Sequence, residues 1–191
     1  RIDIFDRLPT PYGLVRTGVA PDHQSTKRAT RIFERTAKRE QVRFLGNVEL
    51  GRDLGLDEML EGYDALILAV GSPKDRKLGI EGESLPGVYG SCEFTTWYNA
   101  HPDHGRNKIA LGSRIAVIGN GNVALDAARI PLLSPSELRA TDIPQHVIDS
   151  IIADKVAEVR LFGRRGPAQG AFTAAELREL GHMQSAQPII D

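Results

Sequence analysis

Apolar positions along this chain fall into short continuous runs and into helical spacings, and the two kinds alternate. Arg1-Ile-Asp-Ile-Phe-Asp6 reads as an opening strand with no lead-in. A Pro- and Gly-rich loop follows from Leu8 to Pro21, and then Ala29, Ile32, Phe33, Thr36 and Ala37 recur at the spacing of one buried helical stripe. Val42–Leu45 and Val48–Leu50 predict short strands around the turn signal Gly46-Asn47, and Asp57–Gly62 predicts a short helix. Ala65–Val70 is an unbroken apolar run, the pattern of a strand covered on both faces in a parallel sheet, and Gly71-Ser-Pro73 ends it.

From residue 71 to 113 the chain is rich in Gly and Pro, with turn signals at Leu85-Pro-Gly87 and at His101 to Gly105. A domain junction is expected near its start, dividing residues 1–73 from 74–191. Ile115–Ile118 predicts the next buried strand, followed by a glycine turn and a helix over Val123–Ile130 that Pro131 ends or kinks. The polar stretch with Pro135 and Pro144 predicts two short helices on a surface excursion, Val159–Phe162 another strand, and Ala171–Gly181 a helix. The alternation means an α/β, Rossmann-like fold with a mainly parallel sheet. The start inside a strand, and the stop at Gln187-Pro-Ile-Ile-Asp191 where another strand could begin, suggest a piece of a longer protein.

Composition narrows the classes. A length of 191 residues has room for one ordinary domain or parts of two. The 24 Lys and Arg balance 25 Asp and Glu, which argues against a general nucleic-acid binder. A single cysteine, Cys92, excludes an internal disulfide framework and a thiolate zinc cluster, and reads as a small buried hydrophobe. No run approaches the ~20 apolar residues of a membrane helix, and no signal peptide is evident. A reducing compartment is expected, with bacterial cytoplasm and mitochondrial matrix both consistent.

The strongest chemical signal is Arg114-Ile-Ala-Val-Ile-Gly-Asn-Gly-Asn-Val-Ala-Leu-Asp126, which places G-x-G-x-x-A at Gly119, Gly121 and Ala124 between a strand and a helix. Gly119 permits the tight turn, Gly121 lets the backbone approach a pyrophosphate, and Ala124 keeps helix and strand close. The amides of Asn120, Gly121, Asn122 and Val123 then face an anion at a helix N-terminus. A purely structural turn is the alternative reading. The following strand runs into Gly163-Arg164-Arg165-Gly166 rather than an acidic residue. Paired guanidiniums suit a 2′-phosphate, which predicts NADP over NAD. Arg164 stands much farther along than the ~20 residues usual for this position; the excursion between Pro131 and Lys155 absorbs the excess.

Asp6, at the end of the opening strand, stands where a Rossmann unit places a ribose-binding carboxylate, though alone it reads rather as a solvated strand end. Leu8 to His23, Phe44-Leu-Gly-Asn-Val48, Trp97-Tyr-Asn99, Gly119–Asp126, Gly163-Arg-Arg-Gly-Pro167, Ala171-Phe-Thr173 and Glu176-Leu-Arg-Glu179 together resemble, in order, the adrenodoxin-reductase-like ferredoxin–NADP reductases. A more distant similarity extends to the small subunit of glutamate synthase. The resemblance implies a two-domain flavoenzyme moving electrons between NADPH and a ferredoxin-type iron–sulfur protein through FAD. It implies a partial FAD-binding domain over 1–73 and an NADP-binding domain over 74–191. Asp6 would bind the FAD ribose, and Leu14 and Val48 the flavin nucleotide through their backbones. Arg76 and Glu176 would complete the NADP contacts of Asn120–Val123, Arg164 and Arg165. His23, Asp126 and Glu179 would lie near the reacting rings. The family's N-terminal glycine turn and its closing C-terminal segment are missing, which predicts an inactive isolated piece.

Other chemistry is poorly supported. No Ser-His-Asp order or activated cysteine suggests covalent catalysis. His101 and His104 flank Pro102-Asp103 without further ligands, so no metal site is expected there, and His146 and His182 have no evident partner. Lys27, Arg28, Arg31, Arg35, Lys38 and Arg39 form either a wet face or a surface steering an acidic ferredoxin. Trp97-Tyr98 reads as packing. Two rivals to the reductase remain: an electron-input subunit of a synthase, and a non-catalytic NADP-binding module.

Overall fold

A computed structural model describes residues 1–72, 74–164 and 166–189. The chain divides into two units, one of Arg1–Val19 with His23–Pro73, the other of Ala20–Asp22 with Lys74–Asp191.

In the first unit, β1 (Ile2–Asp6) pairs in parallel with β2 (Val42–Gly46), Ile2 opposite Val42 and Asp6 opposite Gly46. Parallel pairing requires a crossover, here made by α1 (Gly13–Thr17), α2 (Gln24–Lys27) and α3 (Thr30–Ala37), with α4 (Leu56–Gly62) following β2. Asp3 ties the pair to the following chain: Arg43 Nε donates to its Oδ1 at 2.7 Å and the Tyr63 hydroxyl to its Oδ2 at 2.7 Å. Phe5 meets Tyr63 edge-on. The stripe expected on α3 forms a helix but buries little, since residues 31–40 are all exposed and Phe33 only stacks on Tyr12.

Two expected strands do not form. Val48–Leu50 forms no strand: Asn47 stands at φ 61°, the Val48 amide donates to the Asp6 carbonyl at 3.0 Å, and Leu50 makes an isolated bridge with Leu54. Ala65–Val70 is not a strand, and Ile67 and Val70 are strongly exposed. An apolar run encodes burial only where neighbours supply a ladder; the described sheet of this unit ends at two strands.

In the second unit, β3 (Arg114–Ile118) pairs in parallel with β4 (Glu158–Phe162), Arg114 opposite Glu158 and Ile118 opposite Phe162. The burial expected of the strand at Ile115–Ile118 is not met. Its positions alternate between exposed and half-buried, with Ile118 well exposed. Between the strands lie α6 (Asn122–Arg129), a 3-10 turn at Ile130–Leu132, α7 (Pro135–Arg139) and α8 (Gln145–Asp154). α9 (Ala174–Leu180) follows β4.

The segment expected as a surface excursion instead carries much of the core. Leu138, Ile143, Val147, Ile148 and Ile151 pack with Ile130, Ile109, Phe94, Trp97 and Tyr98. Pro135, at the first helical turn of α7, presets the backbone there. Ser134 caps α7 by accepting from the Glu137 amide at 3.2 Å, and Glu137 accepts from the Ser134 amide at 2.8 Å. The hydrogen bond to Ser134 holds Glu137 below its ordinary value. A lowered folded value contributes stability at neutral pH that is lost as pH falls through that value. Ser134→Ala is expected to cost about 1 kcal/mol in denaturant unfolding.

The glycine-rich stretch before β3 hides α5 (Ser91–Tyr98). Thr and aromatic residues give it weak intrinsic propensity, and its cap comes from far away. Asp75 accepts from the Ser91 hydroxyl at 2.9 Å and from the Cys92 amide at 2.8 Å. A Cβ on Gly90 would meet the Asp75 carboxylate at 2.1 Å, so this close approach needs glycine. Cys92 is half-buried rather than buried, and burial with nearby Asp75 pushes its thiol up.

Candidate nucleotide site

The glycine turn is built from the ends of β3 and β4. Gly119, at φ 140°, donates its amide to the Phe162 carbonyl at 2.8 Å, which closes the turn against the second strand. A Cβ at Gly119 would stand 3.6 Å from Ala124 Cβ, so the third motif position packs against the first. Gly121 is the N-cap of α6, and the Ala124 and Leu125 amides bond back to its carbonyl. The first helical amides, Asn122 and Val123, have no intrahelical acceptor and carry the positive end of the helix dipole.

Gly121 separates fold from ligand. It has φ −101°, which any residue adopts, and a Cβ there would meet nothing within 4 Å. Neither strain nor packing requires glycine at this point. Gly121→Ala is therefore expected to leave the melting temperature within about 2 °C of the parent, since a Cβ meets open space at a compatible φ. It should weaken dinucleotide binding at least ~tenfold, as steric intrusion of ~1.4 kcal/mol or more would. Calorimetry beside a thermal melt checks both.

A third lane of chain lies along the turn. The Ala171 amide donates to the Asn120 carbonyl at 3.0 Å, and Gly121 and Ala171 form a parallel bridge. Asn122 Oδ1 accepts from the Thr173 amide at 2.8 Å, and Thr173 in turn caps α9 by accepting from the Glu176 amide at 3.3 Å. At the end of β4, a Cβ on Gly163 would meet Asn120 Nδ2 at 2.7 Å, so Asn120 lies close over the backbone that leads to Arg164. Arg164 is exposed; Arg165 lies outside the described residues.

Asp126 is buried on α6. Its partner, missed in the sequence, is Arg129, whose side chain is only 4% exposed. The guanidinium bonds Asp126 at 2.7 Å, pairs with Asp22, and lies 3.5 Å from Glu179. Burial pushes Arg129 down, opposed by Glu179 and Glu176. The i, i+3 spacing of Asp126 and Arg129 was the one available signal; Asp22, distant in sequence, had none. The Tyr98 hydroxyl is buried without a hydrogen-bond partner among the described residues, and burial together with Asp126 raises its value.

The remaining candidates divide between the units. Glu176 and Glu179 stand on α9, both half-buried, and Arg76 is exposed in the second unit. His23 is the N-cap of α2 in the first unit, where its carbonyl accepts from the Lys27 amide at 3.1 Å. Asp6, at the end of β1, accepts from the Leu8 amide at 2.9 Å. Leu14, in α1, is 75% exposed, and its carbonyl takes the Gly18 and Val19 amides. Two histidines also gain partners. His104 Nδ1 lies 2.8 Å from the Thr96 hydroxyl, and His146, expected to have none, lies 2.7 Å from the Gly105 carbonyl.

Parallel strands joined through a glycine turn and a helix define a Rossmann-like α/β protein of the nucleotide-binding class. No family model matches the chain. It is 48% identical over 191 residues to the NADPH-ferredoxin reductase FprA of Mycobacterium leprae, covering 100% of this chain and 42% of the relative. It is 50% identical over 181 residues to the mitochondrial NADPH:adrenodoxin oxidoreductase of Arabidopsis thaliana, covering 94% of this chain and 38% of that one. The structure of Mycobacterium tuberculosis FprA in complex with NADPH superposes with a TM-score of 0.93 at 50% identity, over 95% of this chain and 40% of that one. Over the length it spans, the chain is similar throughout to adrenodoxin-reductase-like ferredoxin–NADP reductases. It spans about two fifths of the length of these relatives.

Proposed function

We propose that the second unit binds NADP(H) at the glycine turn, with the pyrophosphate on the Asn120–Val123 amides and the 2′-phosphate on Arg164 and Arg165. The open face of Gly121, which no internal packing demands, carries this reading. Relatives named as NADPH-dependent reductases, one of them solved with NADPH, support it. Arg76 and Glu176 are candidates for further contacts.

The activity we infer is that of a flavin-dependent oxidoreductase passing electrons between NADPH and a ferredoxin-type iron–sulfur protein. The first unit contributes to FAD binding through the Asp6 carboxylate, at a strand end that suits a ribose hydroxyl, and through the backbones at Leu14 and Val48. FAD and NADPH supply the hydride chemistry when bound; the chain orients them and fixes the charges around them. His23, Asp126 and Glu179 are candidates for that second task. The exposed basic residues of α3 and its neighbours fit an acidic electron-transfer partner. Among the described residues no helix is long and apolar enough to cross a membrane.

Calorimetry on the purified chain tests the nucleotide assignment. NADP is expected to bind at least ~tenfold more tightly than NAD, the share of one charge-assisted phosphate contact. Equal affinities would refute the phosphate assignment.

A further inference from the structure

Three carboxylates from separate stretches of the second unit converge on one buried guanidinium. Asp22 comes from the turn at Ala20–Asp22, Asp126 from the middle of α6, and Glu179 from the last turn of α9. Arg129 is 4% exposed at its side chain, and Asp126 is 11% exposed. Removing both from water is costly unless the geometry is good, and a planar fork is the side chain that reaches several oxygens at once. The same helix begins at the glycine turn, where Asn122 Oδ1 holds the Thr173 amide beside the α9 cap. α9 is thus tied to α6 at both ends, by Asn122 near the first turn and by Arg129 at the last. Among the described residues of the second unit, the cluster sets one guanidinium among three carboxylates, with Glu176 acting on it as well. The adjacent Tyr98 hydroxyl, buried and unbonded among the described residues, supplies no compensating positive charge.

We propose that Arg129 is a positioning residue: it fixes Asp126 and Glu179 on α6 and α9, and it sets the net charge that a nicotinamide ring meets there. The charge half of this statement rests on the NADP reading above. A guanidinium among three carboxylates leaves a field that favours the cationic oxidised ring over the neutral reduced one, and Arg129 moderates that preference. Arg129 touches neither substrate nor cofactor in this role; it acts through the two carboxylates.

The test uses the full chain with Arg129→Gln and Arg129→Lys. The double variant Arg129→Gln/Asp22→Asn removes one carboxylate with the guanidinium and so keeps the parent's net charge; if the single Gln variant does not fold, it carries the hydrogen-exchange measurement, and its affinity ratio should stay within about twofold of the parent. Hydrogen exchange without nucleotide should accelerate at least ~tenfold over residues 174–181 in all variants, while β3 and β4 stay within about threefold of the parent. Calorimetry should show the ratio of NADP+ to NADPH affinity rising at least ~threefold in Arg129→Gln, because a positive charge is lost. Arg129→Lys, which keeps the charge but not the fork, should restore that ratio to within about twofold without restoring α9 protection. Unchanged exchange at α9, or equal acceleration throughout the unit, would overturn the positioning role. A ratio that is the same in parent, Gln and Lys chains would overturn the charge role. A parent chain that binds neither nucleotide would instead defeat the NADP reading, and α9 exchange would still decide the position of Arg129.

Discussion

Trp97→Ala is expected to cost about 3–5 kcal/mol, enough to unfold much of the second unit at 25 °C. Trp97 is 1% exposed and stacks on Phe94 with ring centroids 5.7 Å apart, in a cluster that draws on α5, α7 and α8. Removing the indole leaves a void among α5, α7 and α8 that partial collapse does not fill. Because Trp97 is also the only tryptophan, the loss is read by circular dichroism in urea rather than by fluorescence. A midpoint lowered by less than the equivalent of about 1 kcal/mol would mean that the core is not centred on α5.

Replacing Arg164 and Arg165 together with Ala is expected to weaken NADP binding about a hundredfold and to leave NAD within about threefold. Hydrogen bonds to a charged group contribute roughly 1.5–3 kcal/mol each, and 1.4 kcal/mol is tenfold in affinity. The selectivity of the expected loss matters more than its size. A merely structural pair would weaken both nucleotides, and a pair of solvated arginines would weaken neither. Calorimetry with the two nucleotides at one salt concentration separates these cases, since phosphate contacts are screened by salt.

The glycine turn was legible because its signal is local. Gly119, Gly121 and Ala124 sit at fixed spacing between a strand and a helix, and each answers a steric demand within a few residues. β1, β2, β3, β4 and α6 were legible for the same reason. Elements whose stability comes from distant partners were not. Asp75 caps α5 from sixteen residues before Ser91, and nothing near Ser91 announces it. The proline-punctuated segment of α7 and α8 looked peripheral because its apolar residues are spread over two short helices, yet Val147, Ile148 and Ile151 form one stripe. Ala65–Val70 is the opposite case: its hydrophobic content suggests a strand, but no described neighbour pairs with it. Arg129 was passed over because a charged residue inside an amphipathic helix reads as surface until Asp22 and Glu179 are found against it.

The roles given to Arg76, Asp6 and His23 came from family resemblance rather than from residue patterns. The structure adds their settings: an exposed arginine, a strand-end carboxylate already holding one amide, and a helix N-cap.

Amide chemical-shift mapping of the labelled chain during titration with NADP+ probes the glycine turn residue by residue. The largest changes are expected at Asn120–Val123 and at Arg164, with smaller ones at Ala171–Thr173. Saturable binding whose changes lie elsewhere and leave Asn120–Val123 untouched would contradict the assignment of this turn as the dinucleotide cradle.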